Sequence, residues 1–253
     1  MYRNLAAVTA LIALSVISKG NLADAADIKV IGSTGVRGVV TELAGQFETS
    51  SNHKVVMDFD VFAVLKRRID AGEEFDIAIL SPSLVDDLIK QGKLAADTRV
   101  VIGRTGMGAA VYRGAPRPDI TSVEAFKRTL LNARSVGYPK EGASGTHFLS
   151  TLERLGITDE MKAKLRPFEG GGPPLEAFAK GEPELVVGGT TLFPAMPGAE
   201  VLGAFPSEFQ NYIVFTAAVS ATAKEPQAAR AFIRFLVAPA AIPMIKTKGM
   251  EPG

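Results

Sequence analysis

Hydroxyl-bearing residues occupy two glycine-bracketed turns, Gly32-Ser33-Thr34-Gly35 and Gly142-Ala143-Ser144-Gly145-Thr146, and each runs into a stretch with apolar residues at helical spacing. Such a turn gathers backbone N–H groups and hydroxyls at the positive end of a helix dipole, which suits a small anion. The alternative for each is capping, with Ser33 or Thr34 and Ser144 satisfying the first helical N–H groups. His147, next to the second turn, is the side chain there that can move a proton near neutral pH. It either serves as an acid/base, donates one hydrogen bond to a ligand, or stands outside the site. Arg104 lies in a glycine-interrupted segment, where a guanidinium would pair with a carboxylate in bidentate fashion; otherwise it is an exposed arginine at a strand end. Thr190 and Thr191 follow Gly188-Gly189 after an apolar run, adding hydroxyls at a strand's carboxyl end. The two histidines, His53 and His147, lack metal-ligand spacing, and the chain has 0 cysteines, so thiol catalysis and thiolate metal sites are excluded. No cofactor is expected.

These residues need a framework that brings distant turns together. Strand-like runs at 28–31, 55–59 and 76–80 alternate with helical runs at 36–48, 61–71 and 82–91, the last opened by Ser81 as N-cap with Pro82 at the first helical position. Short connections read as βαβ units on a parallel sheet. The rhythm breaks at Val100–Tyr112 and restarts with helices at 122–131, 144–155 and 174–179 and strands at 134–137, 164–168 and 184–187. An apolar run near 212–218 and two closing helices, 225–237 and 239–248, finish the chain. The expected class is α/β, with two lobes of parallel-rich sheets: residues 26–103 plus 213–253, and residues 104–212. Two crossing segments would join them, and a cleft between the lobes would be the default ligand site.

Composition narrows the partners. Residues 1–25 read as a signal peptide: Arg3 is the positive start, Leu5 through Ile17 are apolar, and Ala23-Asp24-Ala25 fits a small-x-small cleavage site. Removing Arg3, Lys19 and Asp24 with this leader leaves 26 basic and 26 acidic side chains. A balanced charge without basic blocks gives no reason to expect nucleic acid or a membrane surface as partner. An exported chain without disulfides fits the bacterial periplasm, and a monomer is expected.

The Ser33-Thr34 turn, the segment Leu65-Lys66-Arg67-Arg68-Ile69-Asp70-Ala71-Gly72, the run Phe75-Asp76-Ile77-Ala78-Ile79-Leu80-Ser81 and the ending from Lys224-Glu225-Pro226 to Lys248-Gly249 together resemble the periplasmic molybdate-binding family. That family belongs to the type II solute-binding proteins of ABC importers, and the likeness covers nearly the whole mature chain. It implies a periplasmic binding protein type II fold, a small anionic ligand and an ABC permease as partner. It places the first oxyanion contact at Ser33, with Thr34 beside it, and the second at Phe62, where the family carries a serine. The lost hydroxyl argues against molybdate itself. The phrases Val101-Ile102-Gly103-Arg104-Thr105-Gly106-Met107-Gly108 and Gly142-Ala143-Ser144-Gly145 are similar to a subgroup related to aconitate isomerase. The implied alternative is therefore an isomerase interconverting cis- and trans-aconitate, with His147 as acid/base. The expected ligand contacts are Ser33, Thr34, Phe62, Arg104, Ser144, Gly145, Thr146 and Thr190.

Overall fold

In the computed structural model, which describes residues 26–169 and 172–253, the first apolar run forms β1 (Asp27–Ser33) and serves two cores. Ile28 and Val30 pack on one side of the strand and Ile31 on the other, as its two-residue period requires. The expected signal peptide lies outside the described residues. A single 3-10 turn, Thr34–Val36, leads into α1 (Arg37–Ser51), which buries Val39, Val40, Leu43 and Phe47. β2 (Lys54–Asp60) and β3 (Ile77–Leu80) pair in parallel on either side of β1, connected through α2 (Phe62–Asp70). α3 (Pro82–Lys90) starts as expected, with Ser81 accepting the Leu84 N–H at 3.4 Å.

β4 (Val100–Thr105) and β5 (Met107–Tyr112) are separated by Gly106 alone, yet they belong to different sheets. The chain then builds the second lobe: α4 (Val123–Asn132), β6 (Val136–Pro139), α5 (Ala143–Leu155), α6 (Thr158–Met161), β7 (Leu165–Phe168), α7 (Leu175–Ala179), β8 (Leu185–Gly189) and β9 (Ala199–Ala204). It returns to the first lobe as β10 (Ile213–Val219), α8 (Pro226–Leu236), α9 (Ile242–Thr247) and β11 (Glu251–Pro252). The first sheet has the order β11-β4-β10-β3-β1-β2 and the second β7-β6-β8-β5-β9.

Each sheet is mixed, which refines the parallel-rich expectation. The βαβ units give parallel pairs (β1 with β2 and β3, β6 with β7 and β8), whereas β4, β5, β9, β10 and β11 pair antiparallel because they carry the chain out and back. The last helical run is shorter than expected: Pro239–Ala241 is a 3-10 turn and α9 begins at Ile242. Pro243 has no N–H to give to the Pro239 carbonyl, so the α-helical ladder does not run back through this turn. Among the described residues no single helix is long and apolar enough to cross a membrane.

Two polar clusters fix the first lobe. The buried Asp76 carboxylate accepts the N–H groups of Lys29 (2.8 Å), Lys224 (2.7 Å) and Glu225 (3.2 Å), anchoring the start of α8 to the sheet. Glu73 pairs with Arg68 (2.5 Å) and Lys29 (3.1 Å), and Arg68 also binds Asp58, so four charges join β1, β2 and α2.

Candidate functional site

A cleft of about 570 Å3 lies between the lobes, within the usual size of a small-molecule site (about 300–1,000 Å3). Val61, Phe62 and Ala63, at the start of α2, form the first-lobe wall; Gly142, Ala143, Thr146, His147 and Ser150, along α5, form the second; Asn211 of the return crossing completes it. No Asp, Glu, Lys or Arg is among these lining residues. Backbone dipoles at the starts of α2 and α5 therefore face the cleft with no charged side chain lining it.

The starts of α2 and α5 lack a side-chain cap, as most helix starts among the described residues do; what sets them apart is that they face one another in the cleft. Ser33, Ser81 and Ser122 each accept a backbone N–H at the head of their helix or turn. Val61 before α2 and Gly142 before α5 offer no side-chain bond. Asp60, the nearest carboxylate to α2, accepts the Val61 N–H at 2.7 Å and so serves the residue ahead of the helix. A Cβ added to Gly142 would stand 3.8 Å from Val61 Cγ1, so the two uncapped starts meet across the cleft. Gly142 has φ of 90°, a conformation that favours glycine, and Gly145 lets α5 lie directly on the Pro139 carbonyl, 2.0 Å from where its Cβ would sit.

His147 Nε2 stands 2.7 Å from the Phe209 carbonyl oxygen. A carbonyl only accepts, so Nε2 carries the proton and Nδ1 keeps its lone pair in this tautomer. The Phe62 ring lies 6.1 Å from that of Phe215 and packs against both cores of the first lobe, filling the seam between them.

Of the residues expected from sequence, Phe62, Thr146 and His147 line this cleft together. Ser144 sits inside the first turn of α5, because the N-cap position falls on Gly142, and Gly145 is buried in helix packing. Ser33 and Thr34 are not among the lining residues: Ser33 is buried and accepts the Gly35 N–H at 3.3 Å, while Thr34 is exposed. Arg104 lies inside β4, pairs with Glu251 at 2.7 Å and stacks over Tyr212 at 4.2 Å. Thr190 Oγ1 donates to the Gly249 carbonyl at 2.6 Å. Arg104 and Thr190 have each met a protein partner remote in sequence, whereas Ser33 is satisfied two residues along its own turn. Reasoning from sequence missed Val61, Ala63, Ser150 and Asn211, and took Gly142 and Ala143 only as part of the turn, not as contacts. The available signal was negative, since neither Val61 nor Gly142 is a side chain that caps.

The sequence model of a family described as bacterial extracellular solute-binding protein matches residues 28–251. The chain belongs to that family. Within it, this solute-binding protein falls in the ModA-like, type II branch. It is 30% identical over 233 residues to the aconitate isomerase of Pseudomonas sp, covering 89% of this chain and 87% of the relative. It is 27% identical over 241 residues to the molybdate-binding protein ModA of Escherichia coli (strain K12), covering 88% of this chain and 93% of ModA. In three dimensions it is similar to the periplasmic molybdate-binding protein of Azotobacter vinelandii, with a TM-score of 0.71 and 19% identity over 89% of this chain and 99% of that one. The expected type II periplasmic-binding-protein architecture is thus the fold of this solute-binding protein.

Proposed function

We propose that this chain is an exported, periplasmic solute-binding protein that closes its two lobes on a small organic anion and presents it to an ABC importer. The observation that carries this reading is the pair of uncapped helix starts, α2 and α5, meeting across a cleft without charged side chains. Their free N–H groups favour negative charge from both sides without a net positive field. Val61, Phe62 and Ala63 form an apolar wall that suits a carbon skeleton, while Thr146, Ser150 and Asn211 supply polar contacts. A carboxylate fits this combination better than a compact inorganic oxyanion, whose surface is polar all round. The similarity to proteins named for aconitate and molybdate supports a small anion.

Thermal unfolding of the purified protein with trans-aconitate, citrate, molybdate and sulfate tests the proposal. A ligand at a hundred times its Kd stabilises by about 2.7 kcal/mol, which raises Tm by roughly 5–10 °C in a chain of this size. Such a rise with a carboxylate is expected; no rise with any anion overturns the reading, and a preference for molybdate overturns the carboxylate assignment.

A second reading is favoured by His147 in the cleft and by the 30% identity to an aconitate isomerase. His147 Nδ1 would take a proton from one end of the allylic unit and return it at the other. Following the cis- to trans-aconitate ratio by NMR separates the two, because a protein that binds aconitate and leaves the ratio unchanged is a carrier.

A further inference from the structure

A relay of hydroxyls joins the lobes beside the crossings. Thr105, the last residue of β4, is only 2% exposed; Thr190 and Thr191 follow β8 in the second lobe; Gly249 precedes β11 in the first. Thr190 Oγ1 donates its single proton to the Gly249 carbonyl at 2.6 Å, so across 2.9 Å it accepts from the Thr105 hydroxyl. Thr105 Oγ1 in turn accepts the Thr191 N–H at 3.3 Å. The Gly106 carbonyl, 3.4 Å from Thr105 Oγ1, is the more distant of the two acceptors within reach of the Thr105 hydroxyl proton. The backbones also touch, since a Cβ on Gly249 would stand 2.4 Å from the Thr190 carbonyl oxygen, and φ there is +78°. A few residues away, Gln210 clamps the crossing itself, accepting the Met107 N–H at 2.6 Å and donating to the Met107 carbonyl at 3.0 Å.

We infer that the relay Thr191–Thr105–Thr190–Gly249 is a closure latch, made when the lobes close and released when they part. It sets how much of the ligand-free protein is closed without touching the ligand, an inference resting on the interlobe cleft being the binding site. The relay adjoins the crossing, since Thr105 precedes Gly106 and the Gly106 carbonyl accepts the Thr190 N–H at 2.9 Å, whereas the Gln210–Met107 clamp lies on the crossing itself. Thr190 and Gly249 belong to different lobes, and their hydrogen bond fails once the separation passes about 3.5 Å. The lobes are in contact here and also at Val61 and Gly142, so the latch is described in its engaged state. Losing one net hydrogen bond of this kind shifts a two-state equilibrium by about two- to tenfold.

The test uses Thr190→Val, which keeps the side-chain shape and removes the hydroxyl. With 0 cysteines in the chain, Lys90→Cys and Lys180→Cys, exposed sites in opposite lobes, accept a pair of spin labels for distance measurement. In the ligand-free state Thr190→Val is expected to move the interlobe distances outward and to weaken binding of trans-aconitate about two- to tenfold, with saturating trans-aconitate restoring the closed distances. Gly249→Ala, which forces a methyl against the Thr190 carbonyl, is expected to open the cleft further. Distances unchanged from wild type in both ligand-free variants overturn the latch. If trans-aconitate binds neither wild type nor variant, the carboxylate reading fails, while the ligand-free distances still decide the latch.

Discussion

A ring nitrogen that must donate to a carbonyl cannot also act on a ligand, and this divides the two ends of His147. Gln mimics the reach of Nε2, so His147→Gln is expected to hold the Phe209 carbonyl and keep stability within about 0.5 kcal/mol, while removing whatever Nδ1 does. His147→Ala is expected to cost about 1 kcal/mol by freeing that carbonyl; urea unfolding and ligand titration separate the two effects. Asp76 offers a harsher case. Asp76→Ala strips acceptors from three backbone N–H groups and is expected to cost on the order of 3 kcal/mol, read as a lower urea midpoint at unchanged slope. At this scale the sequence was partly legible. Hydroxyl and imidazole beside a glycine-bracketed turn marked Thr146 and His147, and the family resemblance marked Phe62. Arg104 was read as a carboxylate binder, and it does bind one, but that one is Glu251, 147 residues further along the chain. Sequence spacing carries the appetite of a side chain; tertiary neighbours decide who satisfies it.

Helices and strands were the most legible part, because caps and periodicity are local. Ser81, Pro82 and Ser122 announce their helices, and the buried stripe of α1 follows its spacing. β9 and β11 escaped because Gly203 interrupts the first and the second spans only two residues. The uncapped starts yield a sharp prediction. Val61 has an N-cap backbone, φ −73° and ψ 152°, so Val61→Ser is expected to cap α2 and raise stability by about 1 kcal/mol. The same hydroxyl would compete for the N–H groups offered to the anion, so calorimetry is expected to find weaker binding in a more stable protein. Equal or tighter binding would remove α2 from the site. The charge cluster joining β1, β2 and α2 gives a pH prediction. Arg68, with help from Lys29 and against partial burial, holds the Glu73 carboxyl at about 2 instead of 4.5. A lowered folded-state value means this stabilisation is complete above pH 4.5 and disappears as pH falls toward 2. Glu73→Gln is therefore expected to be less stable than wild type at neutral pH, with urea midpoints converging across that acid window.

At the scale of the molecule, two lobes meet along crossings held by side chains. Gln210 acts as a strand-like partner for Met107, and a Cβ on Gly106 would lie 3.2 Å from its Oε1. Gln210→Ala is expected to speed amide exchange at Met107 and Asn211 and leave the interior of β1 protected, a pattern hydrogen-exchange mass spectrometry resolves. The two-lobe plan was visible in the broken strand–helix rhythm, whereas the contacts between the lobes were not, since they depend on pairs such as Thr105 with Thr190. The placing of the second sheet between β4 and β10 also bears on how the chain acquires its structure. Everything from β5 to β9 is contiguous, yet the first sheet stays incomplete until β10 arrives between β3 and β4. Ile213 comes to rest opposite Thr105, so the inserted lobe begins and ends at neighbouring points. If that lobe folds first, it brings β4 and β10 together through a tight connection and lowers the entropic cost of pairing them. The portion that looks like an appendage to the first lobe is also the tether that sets the spacing of its β4 and β10 strands.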